Sequence, residues 1–330
     1  MEVLNILLLS FVPMLIYATV LWWLDRFEKE PLYLLALAFL WGAVPSVLLS
    51  VIFEVIFDVP ITMLSGSTLA YELLGGSVVA PLIEEGIKAL ALVILFLFFR
   101  REIDSPLDGL VYGGMAGFGF AAVENAFYLF GAYGEGGMAD VTSLALLRAG
   151  LFGLNHAMYT GFTGLGIALA LEMRSSWLKG LLPLVGFGLA MAAHAYHNTF
   201  ATFTGYMESP APLVLAAVGD WIAIVFLFGV IIASRFLEQR LIRRFMERYA
   251  DSLQFREEEI AVLTSPWKRW RIQAQALFTG NLQHWRQVVH YFNTITEAAF
   301  AFHRVQGGDA KADSRLQQLE QEIVALRMAA

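Results

Sequence analysis

Of the 330 residues, 58% are hydrophobic and 15% charged, against roughly 25% charged in an average soluble domain, so water is not the main solvent of this chain. The formal net charge of −7 is uneven, with 8 Lys+Arg against 18 Asp+Glu before residue 234 and 14 against 11 from there on. There is no cysteine, which excludes disulfides, thiolate nucleophiles and Cys-ligated metals and leaves His, Asp and Glu as metal-binding side chains.

Apolar stretches long enough to cross about 30 Å of hydrocarbon, which takes about 20 residues, fall near residues 3–23, 32–56, 68–99, 108–133, 143–171, 179–203 and 212–233. The first lacks a basic leading segment and runs into Asp25-Arg26 rather than a small-residue cleavage site, so it reads as a span and not as a signal peptide. The third is too long for a simple crossing, and Gly75-Gly76 with Pro81 predicts a separate short or re-entrant helix in its first third.

Basic residues set the orientation. Arg26 and Lys29 follow span one, Arg100 and Arg101 follow span three, Arg174 and Lys179 surround the fifth connection, and Arg235, Arg240, Arg243, Arg244 and Arg248 follow span seven. The connections near 57–67, 134–142 and 204–211 hold none. This alternation puts the N-terminus outside and the C-terminus in the cytoplasm. The fold class is therefore all-α: a polytopic transmembrane helix bundle of about seven spans over residues 1–233, followed by a cytosolic amphipathic helical tail over 234–330.

In the tail, Trp267, Trp270, Trp285, Tyr291 and Phe292 are spaced among Arg, Gln and His, and Ser265-Pro266 predicts a helix start. Gly307-Gly308-Asp309 predicts a break, and Leu316, Leu319, Ile323 and Leu326 mark a final helix over 313–328. The tail reads as a cytosolic cap or a surface for homo-oligomerisation. Its basic residues sit just after a hydrophobic segment, where topology and anionic lipid account for them, so no nucleic-acid partner is expected.

Ionisable side chains at bilayer depth cost about 2.5 to 3.5 kcal/mol each on insertion scales, so each is a functional hypothesis. Glu84, Glu85 and Lys88 lie in span three, Glu124 and Asn125 in span four, Arg148, Asn155 and His156 in span five, His194, His197 and Asn198 in span six, and Asp220 in span seven. Counted from the cytoplasmic end of each span, Glu84, Glu124, His156 and His194 are about 15 or 16 residues in, or roughly 22 to 24 Å at 1.5 Å per residue. Four spans thus place polar groups at one level, in the outer part of the bilayer. Glu84 and Glu85 diverge by about 100° around their helix, so one of them faces the centre and the other is left to hold Lys88, Arg148 or a ring nitrogen. His194 with Asn198, and Phe120 with Glu124, are i,i+4 pairs on one helix face.

Such a set supplies a carboxylate to take a proton from water and His or Asn donors for an oxyanion. The alternatives are interhelical glue, or an ion path in a non-catalytic scaffold or transporter with a polar core. Zinc held by Glu85, Glu124, His156 and His194 is the competing catalytic reading; no H-E-x-x-H spacing is present, so ligands would come from separate spans.

In order along the chain stand Asp25-Arg26-Phe27-Glu28-Lys29-Glu30-Pro31, Ala80-Pro81-Leu82-Ile83-Glu84-Glu85-Gly86-Ile87-Lys88, Asp108-Gly109-Leu110-Val111-Tyr112-Gly113, Phe120-Ala121-Ala122-Val123-Glu124-Asn125, His156-Ala157 with Thr160, and His194-Ala195-Tyr196-His197-Asn198. This ordered set resembles the PrsW family of membrane proteases, relatives of the type II CAAX prenyl endopeptidases. The resemblance covers most of residues 1–235. It implies proteolysis of a single-span membrane protein such as an anti-sigma factor, cleaved toward the outer side of a prokaryotic inner or plasma membrane. It also implies catalytic roles for Glu84, Glu85, Glu124, His156, His194 and Asn198, with Lys88, Phe120 and Arg148 in support. In the CAAX relatives the first motif ends in Arg one residue later and the second ends in His, so Lys88 and Glu124 favour the PrsW branch. The expected mechanism is a glutamate-activated water without a cofactor.

Overall fold

A computed structural model describes residues 1–25, 27, 29–100, 103 and 105–328. Arg26, Glu28 and Arg101, which carry part of the loop-charge and motif reading, lie outside the described residues. Every regular element among the described residues is helical. The chain divides into two compact units, Met1–Leu24 with Glu30–Ile231, and Asp25–Lys29 with Ile232–Ala330. The short segment at 25–29 thus belongs with the C-terminal unit, a non-local assignment that local sequence pattern does not carry.

The first unit holds α1 (Glu2–Leu24), α2 (Leu32–Trp41), α3 (Val47–Leu64), α4 (Thr68–Leu74), α5 (Ala80–Phe98), α6 (Pro106–Ala145), α7 (Asn155–Glu172), α8 (Ser176–Tyr206) and most of α9 (Ala211–Arg248). Five helical stretches among the described residues are long and apolar enough to cross a membrane: Glu2–Leu24, Leu32–Leu64, Pro106–Glu172, Ser176–Tyr206 and Ala211–Arg248. Large apolar side chains such as Leu48, Val55, Ile222 and Val225 face outward, while Glu84, Glu85, Lys88 and Asp220 are buried. That inversion is what a lipid solvent requires. The protein is a multi-pass membrane protein.

Within Pro106–Glu172 the chain doubles back. Methyl groups placed on Gly109, Gly113 and Gly117 of α6 would lie 2.2, 2.5 and 2.2 Å from the carbonyl oxygens of Gly164, Thr160 and His156 of α7. Each advance of four residues on α6 is matched by a retreat of four on α7, the mark of antiparallel packing. Arg148 bonds Glu124 and Asn125 in the same register. All these pairs centre on Gly137, whose φ of 71° lies in the left-handed region where glycine is favoured. A turn there closes the hairpin. Glycine lets the two backbones touch, so the seam is held by close packing rather than by bulky side chains. Every residue from 107 to 122 is buried as a result.

The start of α6 is set by a capping box. Ser105 Oγ accepts from Asp108 N–H at 3.3 Å, Asp108 Oδ2 accepts from Ser105 N–H at 2.7 Å, and Pro106 occupies the first helical position. The predicted break in the third apolar stretch takes the form of π-helical turns at Gly75–Val79 joining α4 to α5. A second π segment, Gly42–Ser46 with Pro45, joins α2 to α3, and a third, Leu146–Leu151, precedes α7. Such turns free carbonyls from the regular ladder and recur near functional sites.

The C-terminal unit adds α10 (Glu257–Leu263), α11 (Pro266–Phe278), α12 (Leu282–Gln306) and α13 (Ala310–Met328) to the end of α9. Ser265 caps α11 and Gly308, at φ 88°, ends the α12 turn, as the sequence predicts. Leu316, Leu319 and Ile323 are buried, whereas Trp267 and Trp270 are exposed and stack on each other at 5.0 Å. Arg269 is a buried cation in this core: it donates to Thr296 Oγ1 and to the Phe27 carbonyl, both at 2.9 Å, and its guanidinium lies over the Phe27 and Phe292 rings.

Candidate active site

Glu84, Glu85 and Lys88 lie within five residues of α5, about one turn after the π segment, with Pro81 in the first helical turn. The one-turn spacing brings Lys88 back over both carboxylates, at 2.5 Å from Glu85 Oε1 and 3.6 Å from Glu84 Oε2. From the hairpin come Phe120, Glu124, Arg148 and His156; from α8 come His194 and Asn198. Glu84, Glu85, His156 and His194 each offer a donor atom, and these four atoms lie within 4.8 Å of one another. The groups that the sequence places at one level on separate spans meet in space.

The two adjacent glutamates differ sharply. Glu85 is 1% exposed, and its Oε1 accepts from Lys88 at 2.5 Å and from His194 Nδ1 at 3.0 Å, while Oε2 accepts from Thr160 Oγ1 at 3.0 Å. Both of its oxygens are occupied. Glu84 lines a cavity of about 690 Å³, and its buried Oε2 has no hydrogen-bond partner; the nearest ring nitrogen, His194 Nε2, is 3.9 Å away. Helical divergence of neighbours produces this split, with one glutamate turned into the packed interior and the other toward open space.

Hydrogen-bond chemistry assigns the tautomers. His156 donates from Nε2 to Glu124 Oε2 at 2.8 Å, because a carboxylate only accepts; its Nδ1 then accepts from the Lys88 ammonium at 3.3 Å. His194 donates from Nδ1 to Glu85, which leaves the Nε2 lone pair facing Glu84. Glu124 is clamped further by Arg148 at 2.5 Å, whose Nε donates to Asn125 Oδ1 at 2.8 Å. The Phe120 ring lies 4.1 Å from Lys88 Nζ, and the Tyr159 ring stacks on His194 at 4.6 Å. Asn198 is on the cavity wall, but its Nδ2 donates at 2.8 Å to the Gly76 carbonyl in the π segment.

Asn155, His197 and Asp220 form a separate group. Asp220 Oδ2 accepts from His197 Nδ1 at 2.7 Å and from Asn155 Nδ2 at 2.8 Å. Some participants carry no strong mark in the sequence. Tyr159 reads as an ordinary residue of a glycine-rich helix, and Glu54, Asp58 and Glu72, with Tyr71, form an acidic wall from α3 and α4, while Asn125, already marked beside Glu124, lines the cavity with its Nδ2 buried and unpartnered. Glu54 and Asp58 could have been flagged as charges inside an apolar stretch; Tyr159 had no such signal.

The donor types of Glu84, Glu85, His156 and His194 are those that bind a divalent cation. Three of these residues, Glu84, Glu85 and His156, also surround the Lys88 ammonium. The fold and the site together define a multi-pass membrane protein with a buried carboxylate and imidazole centre against a cavity of about 690 Å³.

Residues 30–233 match the model of a family described as PrsW family intramembrane metalloprotease, and the chain belongs to that family. It is 35% identical over 131 residues to "Protease PrsW" of Clostridioides difficile (strain 630), covering 38% of this chain and 51% of that one. It is 29% identical over 140 residues to "Protease PrsW" of Geobacillus kaustophilus (strain HTA426), covering 42% and 55%. The chain thus spans about half the length of these curated relatives. No solved structure matches.

Proposed function

We propose that this protein is an intramembrane endopeptidase that hydrolyses a peptide bond of a single-span membrane protein, using a water activated by Glu84. The observation that carries this reading is Glu84, a glutamate that lines the cavity and whose buried Oε2 has no hydrogen-bond partner and lies 3.9 Å from His194 Nε2. A carboxylate with a free oxygen there takes a proton from water as the carbonyl carbon is attacked, and later returns it to the leaving amine. His194 relays that proton. Asn125, held by Arg148, supplies an amide donor for the developing oxyanion, while His156, bonded at both ring nitrogens, is held in place by Glu124 and Lys88. Glu85 serves as the anchor that fixes Lys88, His194 and Thr160, and Asn198 holds the π turn that carries α5 into the site.

The hairpin supplies two crossings and Thr68–Phe98 one more, which together with the remaining apolar helices supports the seven-span reading. With the basic loops inside, the centre lies toward the external side of a prokaryotic cell membrane. Family membership and two relatives named as proteases support peptidase chemistry, and an anti-sigma factor is the substrate class that the resemblance implies.

A second reading is favoured by the four clustered donors and by the family description. Glu84, Glu85, His156 and His194 would hold a divalent ion, which when bound would act as a Lewis acid and make bound water a stronger acid. The deciding test is cleavage of a single-span substrate in reconstituted vesicles, with and without chelator. Retained activity under chelation together with loss in Glu84→Gln supports the glutamate mechanism. Activity that is unchanged in folded Glu84→Gln overturns it.

A further inference from the structure

The Lys88 side chain is fully buried, yet it is not on the cavity wall. Its ammonium touches three of the four clustered donor residues: Glu85 Oε1 at 2.5 Å, His156 Nδ1 at 3.3 Å and Glu84 Oε2 at 3.6 Å. The Phe120 ring closes a further side at 4.1 Å. A lysine needs only one carboxylate for its charge, so three polar neighbours and an aromatic face amount to a coordination shell.

Size sharpens the comparison. Tetrahedral zinc with ligands at roughly 2.0 to 2.1 Å draws its donors to about 3.3 Å from one another. A lysine ammonium has three N–H donors, its fourth corner being Cε, and bonding at about 2.8 Å it spreads its acceptors to about 4.6 Å. The donor atoms of Glu84, Glu85, His156 and His194 spread over up to 4.8 Å, wider than a tetrahedral zinc shell, and three of these residues are the ones the ammonium touches.

We infer that Lys88 is a tethered cation standing in the position a divalent ion would take among Glu84, Glu85 and His156, so that the ammonium and a metal ion exclude each other. Two like charges within a few ångströms in a water-poor interior repel strongly, so removing the ammonium opens the donor set to metal. This rests on reading these residues as the reaction centre, and it turns the choice between glutamate and metal chemistry into a property of one side chain. Glu85, freed of Lys88, would regain an oxygen for coordination, and the glutamate pair would lose its only cation on α5.

The test uses the full chain in detergent, as wild type, Lys88→Arg, Lys88→Met and Lys88→Gln. Each is titrated with cobalt(II) and zinc(II), followed by calorimetry, cobalt absorption, metal content after desalting, and thermal unfolding by tryptophan fluorescence. Wild type and Lys88→Arg are expected to retain no stoichiometric ion and show no metal-dependent shift in unfolding. Lys88→Met and Lys88→Gln are expected to take up one equivalent about 100-fold more tightly and to unfold at higher temperature when it is bound. Adding His156→Ala to Lys88→Met should abolish that uptake.

A wild-type protein that holds one stoichiometric equivalent after desalting overturns the inference, whether or not the Met and Gln variants fold. So does uptake by Lys88→Met that survives His156→Ala. Cleavage by the same wild-type preparation is measured separately. An inactive wild type that still excludes metal counts against the protease reading and leaves the Lys88 inference standing.

Discussion

His194 and His197 sit three residues apart on α8 and serve two different buried acids. Near His194, Glu84 lines a cavity of about 690 Å³, its Oε2 being buried and without a hydrogen-bond partner. Near His197, Asp220 is just as buried and also has an unpartnered oxygen, Oδ1, but its carboxylate is not part of the cavity lining. An unsatisfied buried oxygen costs stability in either place. Only where water and substrate can reach it does that cost become chemistry. The Asp220, His197 and Asn155 group ties α7, α8 and α9 together, whereas the Glu84 group borders the cavity.

The sharpest way to break this contrast is Glu84→Gln, which should keep the fold and lower cleavage by about 10³-fold or more, measured on a single-span substrate in vesicles. If Asp220→Asn matched that loss without unfolding, the two clusters would not be different in kind. Next in size is Gly117→Ala. The added methyl would stand 2.2 Å from the His156 carbonyl, and a misplacement on the scale of 1 Å at the site should cost about 10²-fold, with a larger fall in kcat than rise in KM. Gly131 of the same helix, which has nothing within 4 Å, is the control and should tolerate alanine.

Glu124→Gln removes the partner of both Arg148 and His156. It should lower thermal stability by a margin equivalent to about 1 to 3 kcal/mol and reduce cleavage by about tenfold through displacement of His156. Asp220→Asn should cost a similar amount of stability, read by thermal unfolding, while cleavage changes by less than about tenfold. Smallest is Thr160→Val, which deletes one of the bonds to Glu85 and should cost about 1 kcal/mol with cleavage nearly unchanged. A large catalytic loss there would promote Glu85 from anchor to reactant.

Much of the site was legible because charge inside a hydrocarbon-length helix is conspicuous. Glu84, Glu85, Glu124, His156 and His194 stand out in any reading of residues 68–203, and their meeting within one cluster follows from equal depth on packed neighbours. The division of labour between the two glutamates was not legible, since adjacent positions on a helix are equivalent until neighbouring helices fix which face looks inward. Asn198 shows the same limit. Its motif position suggests an oxyanion donor, yet its amide is bonded to Gly76, a carbonyl made available by a π turn that the Gly-Gly pair announces only as a break.

What the sequence by itself determined is a lipid-solvated helical chain with a polar centre on several helices, because hydropathy, helical period and the expense of buried charge are local properties that add up along the chain. The tertiary structure alone decided that the hairpin closes at Gly137 with backbones in contact, that residues 25–29 join the C-terminal unit, and that Lys88 stands among the acids and imidazoles while Glu84 faces open space. Those outcomes depend on which helix faces which, a matter of side-chain direction and close packing between residues as far apart as Glu85 and His194.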